Sequence, residues 1–464
     1  MARANRINLA LPAFWLLALS AAFLPFGFGG NRPLPLGLAQ AGFALSSLLM
    51  ALSRRAWSDV RFFSRLRWAL GLFCVTAVWA LFQASSYAPG TWVHPLWAET
   101  AAVLKTPLRG AIAISPEDSI KGLTDLVTYV AAGFLAYIFA QDVRRARLLL
   151  KLFWYSGATM CLYGLLVYFA HMNAILWFPK SAYLEDLTAT FVNHNHFAIY
   201  AGMIFVCGGA LLGKSFEHEV RRKKAHQRVE AFREWFPQKA VPEGFLLAAV
   251  LTSIVLSHSR AGLILTILGF GSYVFFYQIY MGAWSRAVAI GASVVASAAL
   301  TLFAAMHFSD RFSVLFSDYS SLDRMNVYKL AWHALQDNPW LGYGLNGFEP
   351  VFRLYQQSML MEFNHAHSDV LESLVDLGVP AALLLWAGIA LLLSGLWHGI
   401  RNRRRDGFFP ALGLAVSVLA LGHALVDFDL QIPGVATTWA VLVGTGLAQS
   451  WTHSNRREEL ENLA

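Results

Sequence analysis

Runs of about twenty apolar residues recur along nearly the whole chain, and they limit the fold more than any other feature. A run of that length spans the hydrocarbon of a bilayer as one α-helix. With no water in that layer, only a helix or a closed barrel satisfies its own backbone. The runs lack the strict two-residue alternation of barrel strands, so the fold class expected is all-α, a polytopic membrane protein. About twelve spans are expected, near 9–28, 33–52, 66–84, 123–141, 152–171, 191–213, 244–258, 262–280, 287–307, 377–398, 409–427 and 434–450. Composition agrees: 57% of the residues are hydrophobic, 14% are charged and 16 are Trp, which excludes an ordinary soluble domain. The whole of 1–464 reads as a single integral membrane domain.

Most of the 36 Lys and Arg residues fall in alternate connections, including Arg54-Arg55, the RRAR run at 144–147 and RNRRR at 401–405. Positive residues stay on the cytoplasmic side, so both termini are assigned to the cytoplasm and the loop 308–376 to the opposite face. The net charge of +8 is this bias and implies no nucleic acid. The basic cytoplasmic loop 214–243 reads as a short amphipathic surface helix. Arg3 and Arg6 precede a first run too long for a cleaved signal, which reads as a retained anchor. Cys74, Cys161 and Cys207 fall within spans and read as packing residues.

The loop 308–376 is the longest non-spanning segment. From Val327 its apolar residues fall at 327, 330, 331, 334 and 335, one stripe of a helix that Asp337-Asn338-Pro339 stops. Gly342, Gly344 and Gly347 follow, and then a His365-Ala366-His367 pair enters the next span. Arg324 projects onto the apolar stripe, where a cation needs a partner: a nearby Asp, water, or an anionic ligand. Arg260, in LSHSRAG, lies between two apolar runs on the face that the charge bias leaves poor in cations. A cation there pairs with a carboxylate, a carbonyl or a phosphate. His194 and His196 stand where the chain enters its sixth span, and Asp427 and Asp429 follow the eleventh.

All these residues belong to one side of the membrane. Two guanidinium forks and an imidazole suit attack by a hydroxyl on a substrate whose leaving group is a phosphate or diphosphate. Guanidinium binds phosphate oxygens in pairs and stays charged, and a histidine accepts the hydroxyl's proton near neutral pH. No Walker or Rossmann phosphate loop occurs, so a lipid-linked donor is expected in place of a nucleotide sugar. The two His-x-His pairs offer enough imidazoles for zinc or copper. Alternate helix residues diverge, however, and the i, i+4 ligand spacing is absent, so no metal is expected. A transporter of lipid-linked sugar is a further alternative, but the sequence shows no repeated halves and its charges gather at one face.

Four stretches, TFVNHNHFA, LSHSRAGL, DRMNVYKLAWHALQDNPWLGYGLNGFEPVF and NHAHSDVLESLVDLGVP, resemble the O-antigen ligase and Wzy-type polymerase superfamily of bacterial inner-membrane glycosyltransferases. Their order and spacing carry the likeness over about residues 110–450. The family's ligase motif, His, then Asn, Ser or Gln, then nine residues and a Gly, is matched by His367, Ser368 and Gly378; Ala381 departs from its usual last residue. The resemblance implies a GT-C-like helical fold with a long helical periplasmic loop, acting on an undecaprenyl-diphosphate-linked glycan without metal or other cofactor and with inversion. It implies His367 as the base with His365 in reserve, Arg260 and Arg324 on the diphosphate, and His194, His196 and Asp427 in support. The acceptor it implies is lipid A-core in a ligase, or another lipid-linked glycan in a polymerase.

Overall fold

The computed structural model describes residues 9–53, 61–283, 285, 286, 290, 291, 293, 319–356 and 363–451. Its helices are α1 (Ala10–Phe23), α2 (Pro33–Leu52), α3 (Arg61–Ala84), α4 (Leu96–Leu104), α5 (Pro116–Phe139), α6 (Val143–Phe169), α7 (His194–Phe216), α8 (Arg228–Trp235), α9 (Val241–Leu256) and α10 (Arg260–Tyr280). They continue with α11 (Tyr319–Asp337), α12 (Phe348–Tyr355), α13 (Asp369–Leu377), α14 (Val379–Asn402), α15 (Phe408–His423) and α16 (Pro433–Ala448). Among the described residues eight helices are long and apolar enough to cross a membrane, and α1, α15 and α16 are shorter apolar helices. The protein is an all-α, multi-pass membrane protein. The span expected at 287–307 lies almost wholly outside the described residues, as do 308–318 and 357–362 of the long loop.

The helix α7 is buried on most of its circumference and packs against α6, α9, α10 and α15. A helix apolar all round belongs at the centre of a bundle. Its polar first turn, His194 to His196, is therefore carried into the middle of one end of the molecule. The ends of α9 and α15 and the starts of α10 and α16 converge on that same end. The opposite end gathers the basic connections, tied by Arg147 to Asp406 at 3.2 Å and by Arg403 to Gln449 at 2.8 Å. Several spans are longer than expected. Ser115 caps α5 through Asp118 N–H, so the helix begins at 116, and Asp142 caps α6 at Arg144 N–H. These capping residues precede the apolar runs, which is why hydrophobicity alone places the starts too late.

Over the site-bearing end lies a small second core. Val327, Ala331, Ala334 and Leu335 of α11 are buried against Tyr343, Phe348, Val351 and Phe352, while Lys329, His333 and Gln336 face outward. The sequence places His365 and His367 in a loop that enters a span expected from 377; the structure starts that span at Val379 and folds the stretch before it into the nine-residue α13. Ser368 starts it by accepting a hydrogen bond from Leu371 N–H, and Gly378 ends it at φ +75°. The spacing of the His-Ser-x9-Gly motif is thus the length of one capped helix.

Two glycines meet at the end of α13. Gly342, at φ +68°, lets the turn before α12 come down on it, and Tyr343 and Gly344 N–H donate to Asp376 C=O at 3.1 and 2.9 Å. A Cβ on Gly378 would stand 2.5 Å from Trp340 C=O, and one on Gly342 would stand 2.4 Å from Asp376 C=O. From below, Trp79 and Gln83 of α3 donate to Leu377 and Asp376 C=O at 2.9 and 3.0 Å. Gly378→Ala combines a left-handed backbone with a backbone clash, so it is expected to cost about 2–4 kcal/mol. Thermal unfolding in detergent checks this; a melting point equal to the parent's would show that the turn can relax.

Candidate active site

Each histidine of the two His-x-His pairs is held by a carboxylate of its own. His367 Nδ1 lies 3.0 Å from Asp427 Oδ1, and His365 Nδ1 lies 3.0 Å from Glu372 Oε1. His196 Nδ1 meets Asp429 Oδ1 at 2.6 Å, and His194 Nδ1 meets Asp186 Oδ2 at 2.9 Å. Four imidazoles on four separate carboxylates are not gathered on one centre. For His194 and His196, in the first turn of α7, alternate helix positions point apart, whereas His365 and His367 precede α13.

His367 is the best braced of the four. It precedes the cap of α13 with φ +50°, and its carbonyl accepts from the Tyr328 hydroxyl at 2.9 Å. Asp427 is 1% exposed and also accepts from Asn195 Nδ2 at 2.9 Å, while Asn195 Oδ1 accepts from Ser259 Oγ at 2.7 Å. Ser259 caps α10, whose first residue is Arg260. A chain of three hydrogen bonds therefore runs from His367 to the residue before Arg260. Burial favours the neutral form of Asp427, but the His367 hydrogen bond and the charges of His196, His367 and His423 outweigh it and hold its carboxyl far below the usual range. An ionised Asp427 assigns the proton of His367 to Nδ1 and leaves Nε2 free to accept another.

Arg324 is half-buried on α11, one turn before Tyr328 and on the same face. Its charge is felt at two phenols. Burial and Asp427 raise the Tyr183 hydroxyl's pKa and burial raises that of Tyr328, while Arg324 opposes both. Tyr183 stacks on His194 at 4.4 Å. Arg324 thus sits on the His367 side of the site, and the exposed Arg260 borders it at the start of α10.

Phe428 divides the site. His365 stacks on its face at 4.0 Å, and the edges of His367 and His196 approach it at 5.1 and 4.6 Å. Below, Asp429 is shared by His196 and His423 in a fully buried trio. His194 lies to the side, where Asp186 also holds His258 at 2.8 Å. Asp186 is half-buried, but its two imidazole partners lower its pKa.

His365 differs electrically from His367. Burial lowers its pKa, but the charge and hydrogen bond of Glu372 more than reverse this, leaving it above the usual histidine value. Glu372 also accepts from Ala366 N–H at 2.7 Å. Because the folded value exceeds the unfolded one, the pair's contribution to stability is complete below pH of about 6.5 and is lost as pH rises through the raised value. Glu372→Gln should lower the His365 titration midpoint and flatten that dependence. Imidazole ¹⁵N NMR reads the midpoint; an unmoved one would mean Glu372 does not hold the proton.

Asn195, Ser259, Glu372, Asp186, Tyr328 and Phe428 are absent from the set drawn from the sequence. Asn195 carries a signal, since it lies between two of the chosen histidines. Glu372 carries a weaker one, four residues after a helix cap. Asp186, Tyr328 and Phe428 carry none; their roles follow from contacts between distant segments.

Residues 245–387 match the model of a family described as O-antigen ligase. Over that stretch the chain is similar to the O-antigen ligase family. The match includes Arg260, Arg324, His365, His367 and Gly378, whereas Asn195, Asp427 and Asp429 lie outside it. The match supports O-antigen ligase- or polymerase-type function in general. No curated protein matches the chain.

Proposed function

We propose that the protein is an inverting, metal-independent glycosyltransferase. It moves glycan from an undecaprenyl-diphosphate carrier to a hydroxyl of lipid A-core, at the periplasmic face of a bacterial inner membrane. The observation that carries this reading is the His367–Asp427 pair, linked through Asn195 and Ser259 to the residue before Arg260. Support comes from Asn195 of α7, Ser259 before α10, His367 before α13 and Asp427 after α15, which join in one hydrogen-bond chain. The face is argued from the basic connections, which crowd the opposite end.

In this reading His367 Nε2 takes the proton of the acceptor hydroxyl as its oxygen bonds to the anomeric carbon. The bond from that carbon to the diphosphate breaks on the other face, and the leaving oxygen departs with the electron pair. Arg260 and Arg324 stabilise the charge that develops there. The His367 side chain is 17% exposed, so its proton can pass to water before the next turnover. His365 is the poorer candidate because Glu372 favours its protonated form, which has no free nitrogen to accept the hydroxyl's proton.

Lipid-linked repeat units offered to purified protein, with and without lipid A-core, test the acceptor. Attachment only when lipid A-core is present is the expected result. A ladder of lengthening lipid-linked chains without it would instead identify a polymerase, the alternative in which a second lipid-linked glycan is the acceptor.

A further inference from the structure

A cavity of about 630 Å³ opens beside His365 and runs between α3, α5, α14 and α16. One face of α5 lines it along its whole length through Asp118, Gly122, Asp125, Tyr129, Gly133 and Tyr137. Nineteen residue steps of helix rise about 28 Å, close to the roughly 30 Å of the hydrocarbon layer. Below its mouth the lining is mainly apolar, including Leu70, Val130, Leu385, Ile389 and Val443. Gly133 and Gly444 bring α5 and α16 close together along it, since a Cβ on Gly444 would stand 2.1 Å from Gly133 C=O.

The mouth has the opposite chemistry. Asp125, Asn346, Glu349, Asn364, Asp369 and Asp376 line it. Asp376 is 3% exposed; its Oδ2 accepts from Asn346 N–H at 2.6 Å, while its Oδ1 has no hydrogen-bond partner among the described residues. The cations of the lining are already engaged: Arg353 is 2.6 Å from Glu349, and His365 is held by Glu372. Arg260, Arg324 and His367 are not part of the lining. Between this mouth and His367 stands the ring of Phe428.

We infer that this cavity binds a lipid other than the diphosphate donor: an acyl or isoprenoid chain in the shaft, with an uncharged, hydroxyl-rich sugar headgroup at the mouth. Carboxyl and amide groups accept and donate hydrogen bonds to sugar hydroxyls, whereas a diphosphate would be held by Arg260 and Arg324, which lie outside the lining. This binding does not rest on the glycosyltransferase reading above, and the lipid is distinct from both the donor and the acceptor of that reaction.

The test places a photo-reactive benzoylphenylalanine at Leu126 of the full chain in phosphatidylcholine nanodiscs and adds radiolabelled diglucosyl diacylglycerol. Saturable labelling is expected, unaffected by excess undecaprenyl diphosphate and not reproduced by labelled phosphatidylglycerol. Asp125→Leu and Asp376→Leu should each raise the half-saturating concentration about five-fold, the worth of one hydrogen bond. Val130→Trp should fill the shaft and remove labelling. Equal labelling by phosphatidylglycerol would make the cavity an ordinary lipid seam, and competition by undecaprenyl diphosphate would make it the donor's tail site; either result overturns the inference. Saturable glycolipid binding by a protein that transfers no sugar to any acceptor would retire the glycosyltransferase reading and leave this site standing.

Discussion

Alanine at position 367 is expected to lower glycan transfer by roughly 10²–10⁴-fold, the range that a positioned general base supplies. Donor binding should be nearly unchanged, because in the proposed mechanism the imidazole acts on the acceptor's proton and the guanidinium groups hold the diphosphate. The structure sharpens this expectation through Asp427. In Asp427→Asn, the partner of His367 Nδ1 loses its charge and can itself donate, so the tautomer with Nε2 free is no longer enforced. That variant should lose much of the rate while His365→Ala loses far less. Single-turnover rates on a lipid-linked donor, measured beside donor binding, make the comparison. Full activity in His367→Ala would move the base elsewhere; among the described residues His365 and His196 are the other imidazoles that contact Phe428.

The second large effect concerns the cations. Arg260→Lys and Arg324→Lys each keep a positive charge and remove the planar fork. If the guanidinium groups stabilise the departing diphosphate, each change should lower the rate of transfer by roughly 10²–10³-fold, as loss of one preorganised transition-state contact does. The fold should survive, because Arg260 is exposed and Arg324 half-buried at the start of their helices. Melting points near the parent's would establish that. Should both lysine variants turn over at the parent's rate, the cations are surface charges and the diphosphate is gripped by other groups.

The fold class could be read from the chain because membrane spans obey a local rule: twenty apolar residues make their own hydrogen bonds wherever they are placed. The stripe from Val327 to Leu335 and the stop at Asp337 were legible for a similar reason, since helix periodicity and proline are local properties. The nine-residue α13 was hidden although Ser368 and Gly378 stood in plain view. Its apolar residues run on into those of α14, and hydropathy averages over the break. What separates the two helices is a backbone turn at Gly378 that Trp340, Gln83 and Trp79 support from other segments.

The site divides in the same way. Residue type and position marked His367, Arg260 and Arg324, because ionisable groups beside apolar runs are costly to place and few in number. The choice between His365 and His367 could not be made from two residues separated by one alanine. It depends on which carboxylate each imidazole meets, and Glu372 and Asp427 lie on different sides of Phe428.

By itself, then, the sequence determined a many-helix bilayer protein, its basic end and the short roll of ionisable residues at the other end. Tertiary structure alone decided their pairing, since Asn195, Ser259, His367 and Asp427 come from four separated segments and no local pattern encodes a hydrogen bond across 232 residues. Hydropathy and helix periodicity act over a few turns of chain, whereas the orientation of a base is set by whatever the folded bundle places beside it.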